Sequence, residues 1–423
     1  MAEETFLNDD FLRQLMSVGE VDLLVAVPTY NNAETIAQTV QAIEASFQQN
    51  FVRERSVIVN VDSGSQDDTP TAFLSAPTYR NPIGRGLGSL RTMHRITTGD
   101  AGSPMSETAM HSVLAAADLL HAKACAVVSP ESLNMTPDWT AALLRPCYRE
   151  EFDFVAPLYC RPRFDGLLTR NVLYPMGRAA FGFRMRELHS GEFGFSGKLA
   201  TLSLDSDAWH EEAIRDWPES WMAVTAMASS FRCCQAFLGP RQRSASASSV
   251  DIVAAIRQTV GALFWCLESK QNFWMSRNGS EAVPTSGQDH ELSDDAAQIN
   301  RERIFELFRS GVSELEPVLK SILTPDTHAG IQELAGRTAG EFRFSNALWA
   351  QATYDFAASY HHAVINRNHL IQAMVPLYRG KIFSFLRQHD HSSPEEMETD
   401  SEDLCLEFER QKPYLVERWN AKE

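Results

Sequence analysis

Positive charge is scarce in this sequence: 38 lysines and arginines face 55 aspartates and glutamates, a net charge of −17. That excludes non-specific binding to nucleic acid or an anionic membrane, and an anionic ligand would need a local basic pocket. Long apolar runs are missing, and none reaches the roughly 18 to 20 residues that span a bilayer. The opening MAEETFLNDDF lacks the basic-then-apolar pattern of a secretion signal, so a cytoplasmic protein is expected. No two cysteines are spaced C-x-x-C, which argues against a structural zinc site. The 7 cysteines are odd in number, and Cys125, Cys233, Cys234 and Cys266 sit in apolar runs. Buried thiols in a reducing compartment fit that pattern better than a disulfide framework. The Asn278-Gly279-Ser280 sequon would matter only in a secreted protein. No internal repeat is visible.

At 423 residues, 44% hydrophobic and 22% charged, the chain is an ordinary soluble composition too long for one compact domain. Val21–Tyr30, an apolar run ending at Pro28, reads as a buried parallel strand. A helix follows, with Ile36, Val40, Ile43 and Phe47 at helical spacing and Asn31 or Asn32 as N-cap. Further strands are expected at Ser56–Asp62, at CAVVS, at Phe152–Cys160, at Lys198–Leu204 and at Phe231–Gly239. Helices are expected at SETAMHSVLAAADLLHAKA and DWTAALLRPCYRE. Alternating strands and helices point to an α/β doubly wound sheet. After the polar stretch Arg241–Ser249 the pattern turns helical. Ile304, Phe308, Val312, Leu315, Leu319 and Ile322 form one apolar stripe, and Leu348–Tyr378 repeats it. The expected organisation is an extension at 1–20, an α/β domain at 21–245, a helical region at 246–390, and an acidic linker with a terminal helix at 391–423.

In an open α/β sheet, ligands sit beyond the carboxyl ends of the strands. Pro28, Tyr30, Glu34, Asp62 and Ser63 fall at such ends. The plainer alternative makes Glu34 a charge near a helix dipole and Asp62 a turn residue.

The ordered set VAVPTYNNAETI, VDSGSQDDT, TPDW, FDFVAPLYC, GEFGFSG and FRCCQAFLG resembles the GT-A fold nucleotide-sugar glycosyltransferases. In particular it is similar to the retaining enzymes that join a hexose to glycerate or 3-phosphoglycerate: the mannosylglycerate, glucosylglycerate and glucosyl-3-phosphoglycerate synthases. The likeness covers roughly residues 20–245. It implies a Rossmann-like GT-A domain with a helical C-terminal region. It implies transfer of a hexose from a nucleoside-diphosphate sugar to a small, anionic, glycerate-like acceptor, with retention. Pro28, Tyr30, Glu34, Asp62 and Ser63 would then line the nucleoside pocket.

The resemblance also implies a Gly-Lys-Gly loop, an Asp-x-Asp pair and a downstream histidine around the diphosphate and its Mg2+ or Mn2+. Here those places read Met105-Ser106-Glu107, Ser129-Pro130-Glu131 and Arg241-Gln242-Arg243. Three readings stay open. Arg241 and Arg243 replace the metal as fixed positive charge; Glu131 alone holds a weak metal beside the phosphates; or the protein is an inactive relative that binds a nucleotide or a protein partner. Ser106 stays in the expected phosphate site.

On the acceptor side, Glu192 lies between Gly191 and Gly194 where the family has a carboxylate close to the reacting sugar. Glu219, with Trp221 two residues later, stands where the family has an acceptor-site acid. Six arginines cluster at Arg161, Arg163, Arg170, Arg178, Arg184 and Arg186. They are expected either to meet an anionic acceptor, Arg161 and Arg163 foremost, or to pair with the acidic tail or form an oligomer interface. His361, His362 and His369 are spaced poorly for one ion. A homodimer through the helical region is a further expectation.

Overall fold

The computed structural model describes residues 7, 9–79, 93–99, 107–210, 218–242, 251–287 and 299–421. The chain divides into two interleaved units. The first comprises Met1–Cys160, Glu187–Ser249 and Val283–Glu291.

This first unit is α/β. Among the described residues its eight strands are β1 (Leu23–Thr29), β2 (Ser56–Asp62), β3 (Met93–Gly99), β4 (Ala124–Val127), β5 (Phe154–Cys160), β6 (Phe193–Ser196), β7 (Cys233–Pro240) and β8 (Thr285–Ser286). They lie in the order β3-β2-β1-β4-β6-β5-β7-β8, all parallel except β6, which runs antiparallel to β4 and β5. Every residue of β1, β2 and β4 is buried. That explains their largely apolar sequence, since both faces of the sheet are covered; the exceptions Thr29, Ser56, Asn60 and Asp62 are buried polar residues. Leu23, Val25 and Val27 meet Ile36, Val40 and Phe47 of the helix Ile36–Asn50 and Trp139, Leu143 and Leu144 of the helix Pro137–Arg149. The pleat sends Leu24 and Ala26 to the other face, where they are equally buried. Each such aliphatic side chain contributes roughly 1.5–3 kcal/mol by burial.

Three local expectations are corrected. Lys198–Leu204 is not a strand but part of the helix Gly197–Leu204. Ser196 caps it by accepting from the Leu199 N–H at 3.1 Å, and Gly197 lies so close to Ala122 that a Cβ would stand 2.0 Å from its carbonyl oxygen. The helix after β1 starts at Ile36, not at an asparagine cap. Asn31 is left-handed (φ 55°), and Asn32 Oδ1 accepts from Tyr30 N–H at 2.8 Å, so both shape the loop. Finally, β3 had no counterpart in the sequence reading.

The second unit, Arg161–Arg186, Val250–Ala282 and Leu292–Glu423, is helical as expected. The stripe at 304–322 is two helices, Arg301–Glu314 and Glu316–Ile322, the second opening with Pro317 in its first turn. Leu348–Tyr378 is likewise two, Asn346–His361 and Arg367–Gln388, with left-handed Ala363 (φ 51°) between them. Phe305, Phe308, Phe342 and Phe383 pack as one aromatic cluster. The acidic stretch expected as a linker is mostly the helix Pro394–Arg410, started by a capping box between Ser393 and Glu396.

That acidic helix takes several of the clustered arginines. Buried Arg178 forks onto Glu402 at 2.6 and 2.8 Å and reaches Glu409 at 2.6 Å. Arg186 pairs with Glu398, and Arg170 donates to Ser401 Oγ at 3.2 Å. Arg184 donates to Ser280 Oγ at 3.2 Å, Arg161 pairs with Asp165 at 3.0 Å, and Arg163 donates to the Asp390 carbonyl at 3.1 Å. All six lie within this unit, whereas the sequence reading put them in the α/β domain. His361 stacks on Trp419 at 4.2 Å, His362 lies 3.0 Å from the Arg418 carbonyl and His369 is exposed, so the three share no ligand set. Among the described residues no helix is long and apolar enough to cross a membrane.

Candidate functional site

The carboxyl edge of the parallel strands gathers most of the residues singled out above. At its β1–β2 end, Asp62 is buried and already engaged. Ser65 donates to it through its amide (2.9 Å) and its hydroxyl (2.6 Å), and Thr29 Oγ1 donates at 2.9 Å. This carboxylate therefore organises the loop after β2. Beside it Ser63 donates its amide to the Thr29 carbonyl at 2.8 Å. Its hydroxyl is buried and has no hydrogen-bond partner among the described residues. A buried hydroxyl without a protein partner is costly in a native fold unless a water or a ligand meets it. Pro28 is buried in β1, while Tyr30 and Glu34 are exposed on the neighbouring loop.

Two to three strands away, about 10–14 Å at the usual strand spacing, lies a buried charged cluster. Glu192, fully buried at the start of β6, accepts from Ser132 Oγ at 2.6 Å and from the Tyr159 hydroxyl. Arg241 Nη2 stands 2.9 Å from Glu192 Oε2, an ion pair whose angle is not that of an aligned hydrogen bond. The guanidinium lies over the Tyr159 ring, 4.8 Å from its centroid, and Nε reaches Ser132 Oγ at 3.4 Å. Burial, first of several influences, holds the Tyr159 phenol well above its usual range, so it stays a proton donor to Glu192.

Backbone ties explain why these groups meet. Leu133 N–H donates to the Gln242 carbonyl (2.9 Å), Asn134 Nδ2 to the Pro240 carbonyl (2.6 Å), and Gln242 N–H to Asn134 Oδ1 (2.8 Å). Two of the three places where the sequence departs from the motifs that the resemblance implies, the Ser129-Pro130-Glu131 loop and the Arg241 strand end, are thus bound together. Glu131 is half-buried, and its N–H donates to Ser129 Oγ at 3.3 Å. A divalent ion wants several convergent hard oxygen ligands. Among the described residues no group of three or more His, Cys, Asp or Glu could hold one. Among the described residues, the donor set around Glu131 does not fit a metal. Ser106 and Arg243 lie outside the described residues.

Glu219, also fully buried, does not face open space. It accepts from the Ser190 amide at 3.1 Å, the Ser190 hydroxyl at 2.8 Å and the Gly191 amide at 2.9 Å. It clamps the turn in which Gly191 is left-handed (φ 82°) and from which Glu192 enters β6. Burial pushes its carboxyl up to about 8, against the pull of those hydrogen bonds. A folded value above the unfolded one means stability fully present below about pH 4.5 and lost as pH rises through about 8. Over that window the wild type should lose stability relative to Glu219→Gln, by an amount on the order of a few kcal/mol. Melting temperatures of both proteins from about pH 5 to about pH 8.5 check it; parallel curves would refute the assignment.

Trp221 is a core residue, packed edge-on against Trp209 at 5.1 Å. Gly194 makes a close approach to Leu143, whose carbonyl oxygen would stand 2.2 Å from a Cβ there. Arg161 and Arg163 are engaged within the helical unit. Sequence reading missed Ser132 and Tyr159, whose hydroxyls carry no motif of their own. A groove of about 430 Å3 opens at the opposite, amino-terminal edge of the sheet, lined by Asp118, Lys123, Asp153 and Lys198 among others; it is away from this chemistry.

No protein-family profile matches the sequence, and no curated protein matches it. Among solved structures the chain is similar to glucosyl-3-phosphoglycerate synthase from Mycobacterium tuberculosis. One such structure, with Mn2+, uridine diphosphate and phosphoglyceric acid, is 17% identical over 61% of this chain and 81% of its own, with a TM-score of 0.43. Another, with Mg2+ and uridine diphosphate, is 17% identical over 61% and 82%, with a TM-score of 0.42. Likenesses at that level carry no argument about what this chain does.

Proposed function

We propose that the chain is a GT-A glycosyltransferase that moves a hexose from a nucleoside-diphosphate sugar to a small hydroxyl-bearing acceptor. The observation that carries this reading is the layout of the carboxyl edge. A buried Ser63 hydroxyl with no partner among the described residues lies about 10–14 Å from a buried arginine beside the loop that the sequence resemblance assigns to the diphosphate. Arg241 would supply the charge that a metal supplies elsewhere, and guanidinium pairs with phosphate oxygens in a fork. Arg243 remains a proposed second cation. Glu192 would face the reacting sugar, and Glu219 would position the turn that presents it. The anionic character of the acceptor rests on the sequence resemblance alone, because Arg161 and Arg163 have partners elsewhere.

A second reading is an inactive relative that still binds a nucleotide. It is favoured by the neutralisation of Glu192 by Arg241. Thermal shift with uridine, guanosine or adenosine diphosphate, each with manganese, magnesium or EDTA, tests the site, since a ligand of the folded state raises stability by mass action. The expected result is a shift with one nucleotide that survives EDTA. No shift under any condition would overturn both readings. Transfer from the matching nucleotide sugar then separates the enzyme from the inactive relative.

A further inference from the structure

We infer that Glu192 is a built-in competitor for Arg241, so that the carboxylate and the nucleotide's phosphates hold the same guanidinium in turn. This rests on the carboxyl edge being a nucleoside-diphosphate site.

The argument starts from burial. The Arg241 side chain is 4% exposed and that of Glu192 0%. A charge this far from water stays there only if paired, and the structure pairs these two. An incoming diphosphate carries more negative charge than one carboxylate and offers oxygens on two phosphorus atoms, so it is the stronger claimant on a guanidinium. The exchange would strand Glu192 if Arg241 were its sole partner. It is not, because Ser132 Oγ and the Tyr159 hydroxyl both donate to it, one to each oxygen. Those two hydroxyls keep the carboxylate hydrogen-bonded after the arginine turns away. The Tyr159 ring under the guanidinium gives Arg241 a surface to pivot on without losing its cation–π contact.

The consequence is a charge that appears on loading. With the site empty, Glu192 is neutralised. With diphosphate on Arg241, its negative charge stands uncompensated at the head of β6. Glycosyl transfer passes through an oxocarbenium-like transition state, which such a charge stabilises. Glu192 would therefore act on the sugar only when the donor is in place.

Calorimetric titration of the full chain in EDTA tests this with the nucleoside diphosphate that gives the thermal shift, and with the matching nucleoside. Glu192→Gln keeps the shape and both hydroxyl contacts but removes the competing charge. It should bind the diphosphate about ten-fold more tightly than wild type, with binding of the nucleoside unchanged and transfer lost. Tyr159→Phe should bind the diphosphate more weakly, because Glu192 then has one fewer donor to fall back on. The double variant Glu192→Gln/Arg241→Gln should lose the tightening, and as a neutral pair it avoids a stranded buried charge. Equal or weaker diphosphate binding by Glu192→Gln would overturn the inference while leaving the nucleotide site standing. A wild type that binds no nucleoside diphosphate would instead overturn the reading of the site.

Discussion

Gly194→Ala should leave the α/β unit largely unable to reach its native packing. Gly194 sits in the middle of β6, paired with Ala126 of β4 and Val155 of β5. A methyl group there would stand 2.2 Å from the Leu143 carbonyl oxygen and 3.3 Å from Val155 Cβ. The carbonyl belongs to the helix Pro137–Arg149, and its place is fixed by that helix's own hydrogen bonds. Neither strand nor helix can yield alone, because both are buried on their facing sides. Overpacking of a core commonly costs 1–3 kcal/mol, and a backbone obstacle with no rotamer to move belongs at or beyond the top of that range. More than about 3 kcal/mol is therefore expected, out of a total of about 5–15. Urea denaturation gives the number directly. Gly336→Ala is the control: nothing lies within 4 Å of a Cβ there, it ends the helix Pro325–Gly336, and it should be neutral or slightly stabilising. A Gly194→Ala protein that unfolds at the wild-type midpoint would show that β6 does not abut the helix as described.

Arg178→Ala should destabilise the helical unit by about 3 kcal/mol. Its guanidinium is fully buried, forks onto Glu402, reaches Glu409 and touches Ser280 Oγ at 3.1 Å. It holds the Glu402 carboxyl below the usual carboxylate range by hydrogen bonding. Removing it leaves Glu409, 16% exposed, without its cation and opens a void against Tyr174. Glu402, at 43% exposure, recovers part of its hydration, which keeps the figure at the lower end of losses for broken buried pairs. Arg178→Lys should recover less than half, since an ammonium cannot make the fork. Denaturant midpoints of the three proteins decide it, and a loss under about 1 kcal/mol would mean the ion pairs are marginal.

The two variants also mark what the sequence did and did not disclose. The strands β1, β2 and β4 were legible because both faces are covered, so their residues are mostly apolar. The segment Lys198–Leu204 was expected as a strand. The Ser196 cap and the contact of Gly197 with Ala122 decide otherwise, and only the first of these has a local sequence signature. Asp62 was singled out by its place at the carboxyl end of a strand, and Glu192 and Glu219 by their places in the order of motifs. Their working partners were not, since a hydroxyl such as that of Tyr159 or Ser132 is anonymous until the sheet brings it to a carboxylate. The arginine cluster left an anionic acceptor, the acidic tail and an oligomer interface open, and the tail is where Arg178, Arg186 and Arg170 go. What the sequence did not disclose is that this tail is a helix, in a stretch expected to be a linker.

The interleaving of the two units has a consequence for synthesis. The final strand of the sheet, β8, pairs with Gln235 and Ala236 of β7, yet it leaves the ribosome only after the whole helix Ile252–Ser269 of the other unit. Until then the nascent α/β unit carries β7 as an uncovered edge, with open amides and carbonyls of the kind that recruit stray strands. A chain stopped near residue 245 would keep that edge for good. It would also hold the arginines of Arg161–Arg186 without the acidic helix that receives three of them. Neither unit can be cut out as a continuous piece of the gene.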